Sequence, residues 1–282
     1  MNAFRASLIP FWRNRVARLG TIILCLFILM AIVAPWISPY SPQDSNFSEM
    51  LSPTLAHPLG TTQDGHDVLS QLIYGTRVSL LVGFVAGLGT TLLSLLIGLL
   101  AGYMPGVVDE VLSYVTNVFL VLPALPLMIV LAAYAPVKGE YLIVIVIIVT
   151  SWSWGARVLR AQVTTLRTRD YVVAARFSGD GVMRIMFKEI FPNMMSLVAA
   201  SFLGAAISAI LGEAGLEFLG LGDPNINSWG TMLYWAQNSG AMLQGQWAWL
   251  AAPGLCIALL GTALVLMNFA VDELANPRLR RN

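Results

Sequence analysis

Charge is what this sequence has least of: only 11% of its 282 residues are Asp, Glu, Lys or Arg, where soluble chains carry about 25%. That shortage excludes water as the main solvent. With 57% hydrophobic residues and a mean hydropathy of +0.74, long stretches must pack away from bulk water. Cysteine is scarce too. Cys25 and Cys256 each sit inside an apolar segment, which argues against a disulfide scaffold and reads as two small buried hydrophobes. The two histidines, His57 and His66, fall outside every apolar window, so an intramembrane enzyme built on a His and Glu metal set lacks its ligands. A glycine-rich phosphate loop ending in Lys and Ser or Thr is missing as well, so no ATP site of that kind is expected.

What is present is a set of windows free of any charged residue: Leu19–Gln43, Val78–Val108, Val111–Val137, Tyr141–Ala156, Ile190–Gly212 and Pro224–Val271. A bilayer crossing takes about 20 apolar residues in a helix, because hydrocarbon cannot satisfy an open backbone amide. The fourth window is short, but Arg157 and Arg160 can snorkel to the interface and let the helix continue. The last divides, with Asn225, Asn227, Gln237, Asn238, Gln244 and Gln246 in its first half and Ala248–Val271 nearly all apolar. The first window ends in Pro35-Trp36-Ile37 without a small-residue cleavage site and reads as a retained helix. The expected fold is all-α: a polytopic membrane protein of about six spans.

Fourteen of the sixteen Lys and Arg residues fall on segments that six crossings place on one side. They precede the first span (Arg5, Arg13, Arg15, Arg18), lie between the fourth and fifth (Arg157, Arg160, Arg167, Arg169, Arg176, Arg184, Lys188) or follow the last (Arg278, Arg280, Arg281). The positive-inside rule makes that side cytoplasmic and puts both termini there. These clusters flank membrane helices, so they point to the bilayer rather than to nucleic acid. The chain divides into 1–40, an extracytoplasmic loop 41–77, and 78–282. The last part holds five spans, a basic cytoplasmic segment 161–192 and a polar, tryptophan-rich outer segment 213–247.

The basic segment reads as helix, turn, helix. Val172, Ala175 and Arg176 keep helical spacing, Gly179-Asp180-Gly181 interrupts it, Val182, Ile185, Met186 and Ile190 restore it, and Pro192 is expected to close the second helix. The small pair Ala174-Ala175 followed by a glycine turn lets another surface approach the backbone closely, with the surrounding arginines supplying charge for docking. An amphipathic loop lying on the inner leaflet would use the same residues.

This segment resembles the EAA loop of bacterial ABC importer permeases, with Ala174, Ala175, Gly179 and Pro192 at the family's spacing. Val173 stands where many members carry Glu, Glu189 where others have Ile or His, and Phe191 where Leu is usual. More specific is the run His57-Pro58-Leu59-Gly60-Thr61, Gly65-His66-Asp67-Val68-Leu69-Ser70 and Tyr74-Gly75-Thr76-Arg77-Val78-Ser79-Leu80, which is similar to the dipeptide, oligopeptide and nickel branch, His66 replacing the usual Arg. Asp109 with Leu120-Val121-Leu122-Pro123, the stretch Glu213–Gly222, and Asn276-Pro277-Arg278-Leu279-Arg280 extend the resemblance to the C-terminus. It implies a type I importer permease fold and a C-type subunit paired with a B-type permease. Two ATP-binding subunits, carrying ATP and Mg, and an extracytoplasmic solute-binding protein would complete the assembly. On that reading the chain is a transport subunit, not an enzyme, without a cofactor of its own. The resemblance favours peptides as cargo, ahead of oligosaccharides and nickel complexes.

Individual residues carry narrower expectations. His57 and His66, with Asp64 and Asp67 nearby, stitch a turned loop rather than hold a metal. Glu213 and Glu217, four apart on one helix face, either meet a cationic group of substrate or receptor or are solvated at the outer interface. Asp109 and Glu110 belong to an inner turn. Trp229, Trp235, Trp247 and Trp249 read as an outer aromatic belt, with sugar stacking as the alternative. A gradient-driven transporter would show ionisable residues at the midplane and internal repeats, and neither is visible.

Overall fold

The computed structural model describes residues 14–275. Arg5, Arg13 and the motif and arginines beyond residue 275 lie outside the described residues. Among those described the regular structure is helical: α1 Arg15–Ile37, α2 Val68–Tyr103, α3 Val107–Val121, α4 Ala124–Tyr134, α5 Glu140–Leu166, α6 Asp170–Phe177, α7 Val182–Phe218, α8 Trp229–Asn238 and α9 Trp247–Ala275. Five of these are long and apolar enough to cross a membrane, and the bent pair α3 and α4 makes a sixth when it is counted as one span.

The central element is α2. Its 36 residues make a rod of about 54 Å, well beyond the roughly 30 Å of a hydrocarbon core. Asp67 caps it, accepting from the Ser70 N–H at 2.8 Å. Glycines then allow close packing on two sides. A Cβ on Gly83 or Gly87 would fall 2.3 Å from Ile210 Cγ1 or 2.7 Å from Ala206 Cα, both on α7. A Cβ on Gly98 or Gly102 would fall 2.8 Å from Leu159 Cβ or 2.6 Å from Val163 Cβ, both on α5. Each pair is a Gly-xxx-Gly repeat, which in lipid substitutes close van der Waals contact for the absent hydrophobic drive. Helices α1 and α9 pack together beside this core, Gly20 lying against the Ala263 carbonyl.

Two expectations need correction. The third window is not one straight helix: α3 and α4 meet at 89°, because Pro123 has no N–H to donate and Leu122 before it is driven into extended backbone, φ −70° and ψ 130°. Nor does Pro192 end a helix. The chain runs through it as a π turn, Ile185–Ile190, then a 3₁₀ turn, Phe191–Met194, and then regular α-helix, Met195–Phe218. Pro192 cannot donate to Lys188, and the ladder adjusts by lengthening before it, the Phe191 N–H reaching Met186 O, and tightening after it.

Candidate functional site

Two segments outside the spans are built differently, one at each end of α2. At the arginine-rich end, α6 ends in a Schellman turn: Gly179 takes φ +82°, its N–H donates to Arg176 O, and the Asp180 N–H donates to Ala175 O, both at 3.1 Å. Val172 is fully buried in an apolar cluster with Tyr103 of α2, Leu159, Val163 and Leu166 of α5, and Ile185 and Met186 of α7. One small helix thus seats on the ends of three spans.

Ala174, Gly179 and Pro192 are exposed there and Ala175 is half-buried against the cluster. The structure also exposes a group of large apolar side chains that sequence reasoning passed over: Phe177 at 89%, Met183 at 63% and Phe187 at 54%. Their position on either side of the glycine turn was the available signal. The arginines assigned to docking are largely engaged within the chain. Arg160 makes a bidentate pair with Asp109, 2.6 and 2.8 Å, which gives Asp109 a clasp role between α3 and α5 rather than a turn role. Arg157 donates to Asn117 Oδ1 at 2.7 Å, Arg167 to Gly102 O at 3.1 Å, Arg184 pairs with Asp180 at 3.1 Å, and Arg176 lies over the Tyr103 ring.

At the tryptophan-rich end, Glu213 and Glu217 project to one side as the spacing predicts, but inward. Their exposures are 0% and 2%, which corrects the solvated reading, and the segment 219–231 covers them. Gly220, at φ +75°, turns the chain at the end of α7 so that it folds back over its own last turn. Ser79 Oγ of α2 donates to Glu213 Oε1 at 3.1 Å and accepts from the Trp229 N–H at 3.2 Å. Ser228 Oγ donates to Glu217 Oε2 and accepts from the Thr231 N–H, while Thr231 Oγ1 accepts from the Ser228 N–H, a reciprocal capping box that starts α8. Trp229 Nε1 donates to Leu72 O at 3.2 Å, and Asn227 Nδ2 donates to Gln71 O at 2.6 Å. A Cβ on Gly230 would fall 2.7 Å from Glu217 and 3.0 Å from Ala214 Cα, so only glycine admits this approach. Among the described residues neither carboxylate meets a Lys or Arg.

The aromatic belt is half corrected: Trp235 and Trp247 are exposed at 40% and 64%, but Trp229 and Trp249 are buried at 0% and 2%. The loop before α2 is stitched as expected. His57 Nδ1 lies 2.9 Å from Asp67 Oδ1, between the rings of Tyr40 and Phe47, and His66 Nδ1 lies 3.0 Å from Asp44 O.

Residues 94–281 match the model of the family described as binding-protein-dependent transport system inner membrane component, and residues 4–58 match the N-terminal TM domain of oligopeptide transport permease C. The chain is 37% identical over 283 residues to the dipeptide transport system permease protein DppC of Escherichia coli (strain K12), covering 96% of this chain and 92% of that protein. It is 33% identical over 273 residues to DppC of Bacillus subtilis (strain 168), covering 95% and 84%. To the oligopeptide transport system permease protein OppC of the same strain it is 31% identical, covering 100% and 92%. A chain of the inward-facing MetNI methionine ABC transporter superposes with a TM-score of 0.57 at 18% identity, over 74% of this chain and 97% of that one, a likeness of fold. Matched through both halves, and along nearly its whole length by bacterial permeases, the chain belongs to the family of binding-protein-dependent transport system inner membrane components.

Proposed function

We propose that this chain is the C-type permease of an ATP-driven peptide importer, and that α6 with its flanking turn is where partner ATPases act on it. The observation that carries the coupling role is the combination at α6 of an exposed apolar group, Phe177, Met183 and Phe187, with an anchor, Val172, inserted among α2, α5 and α7. An unpartnered apolar patch of that kind suits a protein contact. A rigid helix seated on three spans transfers a push to all of them. The arginine-rich end is then cytoplasmic, as the positive-inside rule requires. ATP-driven closure of two such partners moves α6 and biases the permease pair, this chain and a B-type partner, between two packings of similar free energy. Ala174, Ala175, Gly179 and Pro192 shape the docking face, which leaves ATP chemistry to the partners.

Peptide cargo is supported by the named relatives, dipeptide and oligopeptide permeases at 31 to 37% identity. Glu213 and Glu217 are covered in this conformation. Their role is to hold the outer segment, and contact with a substrate or receptor would require segment 219–231 to lift. The test is reconstitution with the products of neighbouring genes and measurement of ATP hydrolysis with the external binding protein empty, loaded with dipeptides, or loaded with oligosaccharides. Stimulation by the peptide-loaded protein alone is the expected result. Stimulation only by the sugar-loaded protein reassigns the cargo, and absence of any co-purifying ATPase removes the coupling role.

A further inference from the structure

Between the loop 41–67, the first turn of α2 and the segment 224–235 lies a half-open cavity of about 410 Å³, within the range that small-molecule sites occupy. Neither the buried carboxylates nor α6 lines it. Its chemistry is unusual for a surface hollow in having several unused hydrogen-bonding groups. Trp249 lines it at 2% exposure, and among the described residues no atom accepts from its indole N–H, which is itself closed off from the cavity. His66 Nδ1 is committed to Asp44 O, so Nε2 of the neutral ring is an acceptor. The donor ends of Asn225 and Asn227 are engaged with Asp223 Oδ1 and Gln71 O, leaving their carbonyl oxygens free. Among the described residues the Asp64 carboxylate has no ion-pair partner, and the Gln43 amide keeps its donor end, since its oxygen accepts from Ser41.

Donors and acceptors are therefore both present, with no Lys or Arg in the lining. Phosphate, sulfate and free carboxylate ligands lack a countercharge here, and a zwitterionic peptide would leave its carboxylate unpaired. Trp235 adds a ring 40% exposed, held by its Nε1 donating to Pro224 O and by an edge contact with Tyr234 at 5.2 Å. A fixed aromatic face beside amides, an imidazole acceptor and one carboxylate suits a ligand with an apolar flat side and a rim of hydroxyls.

We propose that this cavity is a binding site for a neutral sugar, stacked on Trp235 with hydroxyls bonded to Asp64, His66 and Asn225. Its test is binding, not uptake. The whole transporter in lipid nanodiscs, without the external binding protein, is titrated calorimetrically with glucose, maltose, cellobiose and, for contrast, trialanine. Saturable binding of at least one sugar is expected, weakened about tenfold by Asp64→Ala, which removes a hydrogen-bond acceptor, and at least as much by Trp235→Ala. Asn225→Ala, at an exposed position, guards against misfolding and should weaken binding while leaving ATP hydrolysis unchanged. Binding of trialanine in place of the sugars overturns the assignment, as does sugar binding indifferent to all three substitutions. If none of the probes binds, the cavity holds water only and the proposal fails.

Discussion

Segment 219–231 and helix α6 are both short pieces of chain laid against the ends of spans, and a Schellman turn with a glycine at positive φ bounds each, opening the first at Gly220 and closing the second at Gly179. Beyond that they diverge. The first is locked by buried polar groups: Glu213, Glu217, Ser79, Ser228 and the Trp229 backbone are each 2% exposed or less. The second is seated by apolar side chains, Val172 with Ala175 beside it, while Phe177 and, at the start of α7, Met183 and Phe187 face outward. A locked segment spends its side chains on its own fold. A seated segment keeps its outer face free for another molecule. The glycines report the same contrast, since a Cβ on Gly220 would meet the Tyr234 ring at 2.8 Å, whereas a Cβ on Gly179 would meet nothing within 4 Å.

Substitutions can break or sharpen this contrast. The largest loss of stability is expected from Gly230→Leu, whose side chain has to displace Glu217 and the α7 backbone. Overpacking of that kind costs about 3 kcal/mol, read as a lowered unfolding midpoint of the purified transporter. Val172→Ala should follow at about 2 kcal/mol, from two methyl groups lost in a full core. It should also lower transport per ATP hydrolysed more than stability alone explains; if both losses match those of an equally destabilising change elsewhere, Val172 is packing and nothing more. Gly179→Ala should cost about 1 kcal/mol, the strain of positive φ with open space around it. Phe177→Asp, at an exposed position, should stay within about 0.5 kcal/mol of wild type while greatly reducing the ATPase that co-purifies. Full retention of the ATPase would place the docking face elsewhere.

The spans were legible because a charge-free window of sufficient length has few other uses, and the continuation of α5 through Arg157 and Arg160 was legible from their side-chain length. Harder to see was direction. Glu213 and Glu217 share a helix face, but nothing local says whether that face meets water or Ser79, which lies 134 residues away. Trp229 and Trp249 failed for the same reason: a tryptophan near a membrane end serves as an anchor or as core depending on what folds over it. Pro192 and Pro123 are the same residue type with opposite outcomes. Pro123 stands at a break of 89°. Pro192 is absorbed by a π turn and a 3₁₀ turn, an accommodation set by the packing of Ile190 and Met194 in the cluster below α6. The Gly-xxx-Gly pairs of α2 were readable in principle, as small residues at helical spacing in an apolar run, though not which neighbour each would face.

The contact between Ser79 and Glu213 also has a place in time. Ribosomes add about 5–20 residues per second, so a gap of 134 residues leaves Ser79 waiting about 7–27 s for its acceptor, and Trp229 arrives later still. For that interval Ser79 lacks its acceptor, while the start of α2 already has Tyr40, whose N–H donates to Ser70 Oγ, and Gly60, whose carbonyl accepts from the Val68 N–H. A nascent chain stalled before residue 213 should therefore have α2 inserted, with loop 41–67 able to close on its first turn and the cover formed by 219–231 still missing.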